Sequence, residues 1–240
     1  MMNASTREAH NALQRQYFDQ VERLRLAVVD TPYVRRHVEE AVTGGELTPG
    51  DAVLEIGAGL GKFTFPLLER GFDVTANDLS PVLLERLAAA APKAVRTMAC
   101  DVADIEQHAH RAFDAVIGFF VLHHLVDFDR IFPVLSRVLT RGGRVAFCEP
   151  VAWNPLYYIQ ISLTPGMRFS GERSLTSMTP RTILPALSRA GFVEPRSRMY
   201  GYVPPVLKNT RGGDAVERWL ERRTWVPFPH AFQVFTARLP

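Results

Sequence analysis

Three glycines at alternate positions, Gly57, Gly59 and Gly61, follow a short apolar segment at residues 52–56. An apolar run of this length is typical of a strand that is covered on both faces of a sheet. Glycine permits a tight turn, and its missing Cβ lets backbone N–H groups come close to a ligand. The pattern therefore predicts a loop that binds a ligand with a nucleoside and a polar tail.

Two common phosphate-binding loops do not fit this spacing. A P-loop requires glycine in place of Ile56 and serine or threonine in place of Phe63. A dinucleotide-binding loop ends in glycine or alanine, where this chain has Lys62. The motif that remains is E-x-G-x-G-x-G, whose acidic position is Glu55.

Further motifs follow that loop in a fixed order. An acid stands after each of the next two predicted strands, at Asp78 and Asp101. F-D-A-V-I-G follows at residues 113–118, and R-G-G-R-V at residues 141–145. In this order the motifs resemble those of the class I S-adenosylmethionine-dependent methyltransferases, over residues 51–149.

The resemblance implies that S-adenosylmethionine is the cofactor and that the glycine loop passes under its methionine half. Glu55 is then expected to help fix that half through water or backbone groups. The predicted contacts in this part of the cofactor site are Glu55, Gly57, Gly59 and Gly61.

Residues at the strand ends complete the predicted cofactor site, because ligands of open α/β sheets lie beyond the carboxyl ends of the strands. A carboxylate at Asp78 can accept hydrogen bonds from both ribose hydroxyls, although an acid at a helix N-terminus is the competing interpretation. Asp101 and the backbone N–H of Val102 are expected to bind the adenine, with Leu79 and Val102 on either side of the ring. The carbonyl of Phe119 is expected to accept a hydrogen bond from the ammonium group of the methionine part.

Candidate catalytic residues lie beside this site. His123 and His124 follow the fourth predicted strand, and Glu149 ends the fifth. An imidazole can remove a proton from the acceptor as the methyl arrives. Alignment of the nucleophile also accelerates transfer by itself, so a packing role stays open for all three residues.

A metal site is not predicted. His123, His124, Asp127 and Asp129 lie in one segment, whereas a zinc site needs defined ligand spacing and usually more than one segment. The adjacent Asp-Asn pair of catechol-type enzymes does not occur in the chain, and the Pro-Pro-aromatic motif of amide and base methylation is missing after the fourth strand.

Aromatic residues outside the motif region are expected to bind the acceptor and to face the cationic sulfonium. They lie in two predicted N-terminal helices and in an aromatic segment after the fifth strand, and core packing is their competing role. The candidates are Tyr17, Tyr33, Trp153 and Tyr157.

Strands and helices alternate from residue 51 onward, which predicts an α/β fold with helices on both faces of a parallel sheet. The resemblance implies a doubly wound, seven-stranded Rossmann-like sheet whose last strand is antiparallel. We expect a helical lid at residues 1–50 and a methyltransferase domain at residues 51–240. An insertion over the strand ends is expected at about residues 151–179.

The composition is that of an ordinary globular protein, with 47% hydrophobic and 22% charged residues. No apolar run reaches the ~20 residues of a membrane helix, and the polar N-terminus lacks the apolar core of a signal peptide. The net charge is +3 and the basic residues form no stripe, which argues against a nucleic-acid partner. Cys100 and Cys148 are expected to be buried thiols, and we predict a cytoplasmic protein.

The sequence thus predicts a metal-independent methyltransferase acting on an O, N or C nucleophile of a small, apolar or aromatic metabolite. Two alternatives stay open. One is a cyclase-like or binding protein that keeps the cofactor pocket without methylating, and the other is methylation of a macromolecule. An oligomer is possible on this basis but not required.

Overall fold

The computed structural model describes residues 11–12, 30–125, 127–154, 173–203, 205–223 and 229–240. Within them, seven strands form one sheet: β1 (Ala52–Ile56), β2 (Asp73–Asp78), β3 (Arg96–Ala99), β4 (Phe113–Phe119), β5 (Leu139–Pro150), β6 (Val193–Tyr200) and β7 (Phe232–Arg238). Their order is β3-β2-β1-β4-β5-β7-β6.

The sheet is doubly wound from its centre. β1 pairs in parallel with both β2 and β4, so the strand order reverses between β1 and β4. β7 lies between β5 and β6 and is antiparallel to both. These pairings confirm the predicted seven-stranded α/β sheet with an antiparallel last strand. Ligands of such sheets lie at the carboxyl edge beside the reversal point.

Helices cover both faces of the sheet. They are α1 (Pro32–Gly44), α2 (Thr64–Glu69), α3 (Pro81–Ala90), α4 (Phe128–Arg137), α5 (Pro180–Arg189), α6 (Pro205–Lys208) and α7 (Gly213–Glu221). α1 begins after Thr31, whose hydroxyl accepts a hydrogen bond from the Val34 N–H, and α3 begins after Ser80, which caps Leu83 in the same way. Both helices have proline at the first position, where its missing N–H costs nothing.

The core lies in two apolar layers, one on each face of the sheet. Leu54 and Phe147 belong to the layer that packs against α4 and α5. Val53 and Ile117 belong to the layer that packs against α1, α2 and α3. Successive residues of one strand point to opposite faces, which is why both layers draw on the same buried strands.

Some boundaries differ from the sequence prediction. The sequence predicts a helix over residues 128–139 before the R-G-G turn. The helix ends at Arg137, because Leu139 pairs with Phe113 and already belongs to β5. A 3₁₀ turn at Val102–Gln107 was not predicted. Cys100 and Cys148 are buried free thiols, as expected.

Two predicted segments lie largely outside the described residues. Of the helix predicted at residues 5–29, only Asn11 and Ala12 are described, and both are helical. Most of the predicted insertion, residues 155–172, also lies outside them. Among the described helices, none has the length and apolar character needed to cross a membrane.

Candidate functional site

The glycine loop combines two packed positions with an open one. Gly57, Gly59 and Gly61 have φ angles of +70°, +54° and +90°, a region that L side chains rarely adopt. A Cβ at Gly57 would lie 2.5 Å from a methyl of Val121, and one at Gly61 would lie 2.6 Å from the ring of Phe65. A Cβ at Gly59 would meet nothing within 4 Å. The loop therefore opens to free space at Gly59, beyond the carboxyl end of β1.

Asp78 ties the end of β2 to this loop. Its Oδ2 accepts a hydrogen bond of 2.8 Å from the Gly59 N–H, and its Oδ1 accepts one of 2.9 Å from the Ser80 N–H. Asp78 therefore holds the glycine loop and the residue that caps α3 at the same time. The ribose role of its carboxylate stays a prediction.

Asp101 lies after β3 at the same edge of the sheet. Its Oδ1 accepts a hydrogen bond of 2.9 Å from the Ala103 N–H and so caps the 3₁₀ turn that follows. Its Oδ2 accepts one of 2.6 Å from Nδ2 of Asn11. Asn11 was not singled out from the sequence, because a polar residue on a predicted helix carries no signal of a distant partner. Val102 is buried and Leu79 is half-buried beside these acids.

Glu55 is a buried acid in β1, beneath the loop. Its pKa is raised to about 8: burial raises it most, the Thr64 hydroxyl lowers it, and the charge of Asp78 raises it. Its Oε2 has no hydrogen-bond partner within the described part of the chain. Glu55 thus holds its proton at neutral pH and keeps one buried oxygen for a water or a ligand group.

Glu149 organises the turn that follows β4. Its Oε1 accepts hydrogen bonds from the N–H groups of Val121 and Leu122, at 2.8 and 2.7 Å. Its Oε2 lies 2.7 Å from Nδ1 of His123, and both side chains are buried. The imidazoles of His123 and His124 have centroids 4.1 Å apart. The structure therefore brings the three catalytic candidates together, and the contacts of Glu149 favour a positioning role for it.

Phenylalanines form the wall between the loop and the end of β4. The rings of Phe63 and Phe119 are stacked with centroids 4.2 Å apart. Phe120 has a φ of +55°, which is strained for a residue with a side chain and is typical of functional sites. Its N–H donates to the carbonyl of Cys148 at 2.8 Å, and this bond holds the strained residue in place.

The predicted acceptor residues have different outcomes. Tyr33 lies at the start of α1, with its ring parallel to that of Phe120 at 6.4 Å. Trp153 is 74% exposed and lies at the surface instead of in this wall. Tyr17 and Tyr157 lie outside the described residues.

The sequence analysis missed His37 in α1. It is buried four residues after Tyr33, and its ring lies 4.9 Å from that of Phe120. The available signal was a histidine on the apolar face of a helix, which also fits ordinary packing.

An ionic cluster fixes α1 against α6 and α7. Arg36 forms salt bridges of 2.8 Å with Glu40 and with Glu221. In the same cluster, the buried Lys208 pairs with Asp214 and with Glu217. The buried pair of Lys208 and Glu217 joins α6 to α7, and removal of one partner from such a pair is costly. Arg36 connects α1 to the same cluster.

Metal ligands do not converge in the described ranges. Among those residues, no group of three or more histidine, cysteine, aspartate or glutamate side chains is placed to hold a metal ion. The prediction of a metal-independent site stays a prediction.

Comparison with known proteins matches the central part of the chain. Residues 54–147 match the family model described as "Methyltransferase domain". An uncharacterized methyltransferase of Mycobacterium tuberculosis is 39% identical over 102 residues, which cover 42% of this chain and 39% of that protein. A demethylmenaquinone methyltransferase of Thermobifida fusca is 36% identical over 104 residues, which cover 42% of this chain and 44% of that protein. The chain thus spans about two fifths of the length of these curated relatives.

Comparison of structures covers nearly the whole chain. The crystal structure of a SAM-dependent methyltransferase from Archaeoglobus fulgidus superposes with a TM-score of 0.64 and 13% identity. The match covers 92% of this chain and 99% of that one. At this identity the match shows a shared fold.

Proposed function

We propose that the chain is a class I S-adenosylmethionine-dependent methyltransferase that transfers the methyl group of this cofactor to a small molecule. The observation that carries the proposal is the glycine loop. Gly59 opens to free space between Asp78 at the end of β2 and the buried, partly unpaired Glu55. A ligand that combines hydroxyls with a polar tail can use all three features.

The cofactor supplies an electrophilic methyl group on a sulfonium, and the residues of the chain bind, orient and shield it. Asp78 accepts ribose hydroxyls while it holds the Gly59 N–H, so it couples the shape of the loop to ligand binding. The stacked Phe63 and Phe119 rings exclude water on the side of β4. The residues that we assign to the cofactor are Glu55, Gly57, Gly59, Gly61, Asp78, Leu79, Asp101, Val102 and Phe119.

The acceptor that we propose is a small, apolar or aromatic metabolite with an O, N or C nucleophile. Aromatic side chains, with Tyr33 and Phe120 foremost, support this class because they surround the end of β4. We propose His123 as a base candidate held by Glu149, with His124 beside it. No metal takes part in the proposed reaction.

Isothermal titration calorimetry tests the cofactor assignment. We expect the protein to bind S-adenosylmethionine and S-adenosylhomocysteine, and to bind them more tightly than NAD or ATP. Tighter binding of a nicotinamide dinucleotide would refute the proposal. Product analysis with and without S-adenosylmethionine then separates methyl transfer from binding alone.

Two glycine variants separate cofactor contact from backbone strain. Gly59 and Gly142 both have positive φ, +54° and +75°, and in both cases an added Cβ meets nothing within 4 Å. Gly59→Ala and Gly142→Ala are therefore each expected to lower the free energy of unfolding by about 1 kcal/mol. Only Gly59→Ala is expected to weaken S-adenosylhomocysteine binding, by about tenfold or more, because its methyl occupies cofactor space. Urea unfolding and calorimetry on both variants measure the two effects, and equal affinities would remove Gly59 from the site.

A further inference from the structure

His37 is a buried polar side chain with one unsatisfied nitrogen at the carboxyl edge of the sheet. It is 1% exposed, and its Nδ1 lies 2.6 Å from the hydroxyl oxygen of Tyr200. Its Nε2 has no hydrogen-bond partner within the described part of the chain. An unpaired buried polar group is unfavourable, because it has lost its hydrogen bonds to water. A ligand that supplies a partner to Nε2 removes that penalty.

Four aromatic side chains surround this imidazole. We refer to them as the ring cluster, which consists of Tyr33, Phe63, Phe120 and Phe232. Their centroids lie 4.3, 6.2, 4.9 and 4.6 Å from that of His37, in the same order, and each ring is close to perpendicular to the imidazole. Phe63 follows the glycine loop and Phe120 follows β4, so the ring cluster lies between the proposed cofactor site and α1. A ligand that reaches Nε2 there is surrounded by aromatic faces and edges.

Lys62 adds a positive charge at the same place. Its Nζ lies 5.4 Å from the ring centroid of Tyr33 and 5.5 Å from that of Phe63, and its side chain is half-buried. A half-desolvated ammonium held against aromatic faces is attracted to an anion that enters the cluster. Burial lowers the pKa of Lys62, in agreement with this partly desolvated position.

The charged groups around His37 keep the imidazole neutral. Burial lowers its pKa well below the ordinary range, and the nearby charges of Lys62, Arg36 and Lys208 lower it further. Burial also raises the pKa of Tyr200 well above its usual range, so the phenol keeps its hydrogen. In the tautomer that a donor role of Nε2 requires, this phenol donates to Nδ1 and the imidazole hydrogen is on Nε2.

We propose that Nε2 of His37 and Nζ of Lys62 bind the hydroxyl oxygen of an aromatic acceptor in its ionised form, with the acceptor ring held in the ring cluster. The inference rests on the proposed function and names its substrate class as phenol-type compounds. The O–H bond of the acceptor breaks and its proton passes to water, so for this substrate class His123 is not needed as the base. The oxyanion then faces one cation and one neutral N–H donor. Phe120, whose ring is edge-on to the imidazole, is the half-buried member of the cluster, and entry of the acceptor requires this ring to be displaced.

The probe for this inference is 4-nitrophenol, whose ionised form absorbs visible light. The wild-type protein is titrated with it in the presence and absence of S-adenosylhomocysteine, and 4-nitroanisole serves as the uncharged counterpart that carries no hydroxyl proton. We expect the pKa of bound 4-nitrophenol to fall by about one unit. That fall corresponds to about tenfold tighter binding of the ionised form than of the neutral form. An unchanged pKa together with equal affinity for 4-nitroanisole would overturn the proposal without any variant.

Matched variants assign the effect to the two residues. Lys62→Met is expected to abolish the pKa change of the probe, whereas Lys93→Met, which alters an exposed lysine, leaves it intact. His37→Asn places an amide near the position of Nδ1 and removes the group at Nε2, so it is expected to weaken binding of the ionised probe about tenfold. His37→Gln places its amide near Nε2 and is expected to retain most of the affinity. Equal behaviour of His37→Asn and the wild type would contradict the role of Nε2.

Calorimetry with S-adenosylhomocysteine on the same samples keeps the two proposals distinguishable. If this compound binds and the probe does not change its pKa, the acceptor inference fails and the cofactor assignment stands. If it does not bind to the wild-type protein, the proposed function fails, and the titration without it still measures the site at His37. If Lys62→Met weakens S-adenosylhomocysteine as much as the probe, Lys62 serves the cofactor and the acceptor inference is wrong.

Discussion

Replacement of Glu149 by alanine is expected to lower the free energy of unfolding by roughly 3–5 kcal/mol. The carboxylate is fully buried and holds the N–H groups of Val121 and Leu122 together with Nδ1 of His123. Alanine leaves the two N–H groups and the imidazole nitrogen buried without the carboxylate as their partner. Its methyl group has no polar atom that could replace the carboxylate oxygens. Urea unfolding of the variant and the wild type measures the difference.

Two control variants show whether the loss comes from these hydrogen bonds. Glu149→Gln keeps an oxygen that can accept from the two backbone N–H groups, so we expect it to lose less than half as much stability. Glu85→Ala removes an exposed carboxylate and is expected to stay within about 0.5 kcal/mol of the wild type. If Glu149→Ala unfolds at the same urea concentration as the wild type, Glu149 does not organise this turn.

The same variants separate a positioning role from a base role. If Glu149 acts by positioning His123, Glu149→Gln displaces the turn after β4. We then expect a lower turnover together with weaker binding of S-adenosylhomocysteine. Phe119 and Val121 flank this turn and contact the loop region, which explains the link. A folded Glu149→Gln protein with normal cofactor affinity and no turnover would instead support a direct chemical role.

The conformation of the glycine loop was predictable from the sequence because the positive φ of its three glycines is a local condition. The lack of space for a Cβ at Gly57 depends on Val121 after β4 and was not needed for that prediction. The acids Asp78 and Asp101 were predictable for a related reason. Parallel strands end at one edge of the sheet, so a polar residue directly after each strand lies at that edge.

The partners of these acids depend on distant segments and were not predictable. The hydrogen bond from Asn11 to Asp101 joins residues 90 positions apart, and that between His37 and Tyr200 joins residues 163 positions apart. The helical periodicity of α1 identifies its apolar face but does not indicate which strands that face packs against. The unpaired nitrogen of His37 results from that packing, so only the folded chain reveals it.

The boundary of β5 shows a smaller limit of the same kind. The sequence indicates a turn at residues 141–143 and a strand after it, whereas the structure has one strand, Leu139–Pro150, through both. Leu139 pairs with Phe113, and the three residues 141–143 are taken up by a register shift between Phe113 and Ala115. A pairing of this kind is decided by the neighbouring strand and not by the turn residues.

Glu55→Gln is expected to stabilise the protein at alkaline pH. Burial raises the pKa of Glu55 from an ordinary value of 4.5 to about 8. The folded state therefore holds the proton over a pH range in which the unfolded state has lost it. The contribution of this raised pKa to the free energy of unfolding is fully present below pH 4.5 and declines as the pH rises to about 8. Above that pH it no longer changes. Glutamine resembles the neutral acid in shape and does not ionise, so it avoids the decline.

Urea unfolding of the wild type and Glu55→Gln near pH 4.5 and above pH 8 measures this effect. Between the two pH values, the wild type is expected to lose roughly 3–5 kcal/mol more of its free energy of unfolding than Glu55→Gln does. The effect is this large because the Glu55 side chain is buried and little screened by solvent. All other titrating groups are shared by the two proteins and cancel in the comparison. Glu85→Gln, on the exposed face of α3, is expected to change stability by no more than about 0.5 kcal/mol at either pH. A difference between wild type and Glu55→Gln that is the same at both pH values would show that Glu55 titrates normally, and the buried oxygen under the glycine loop would then be paired.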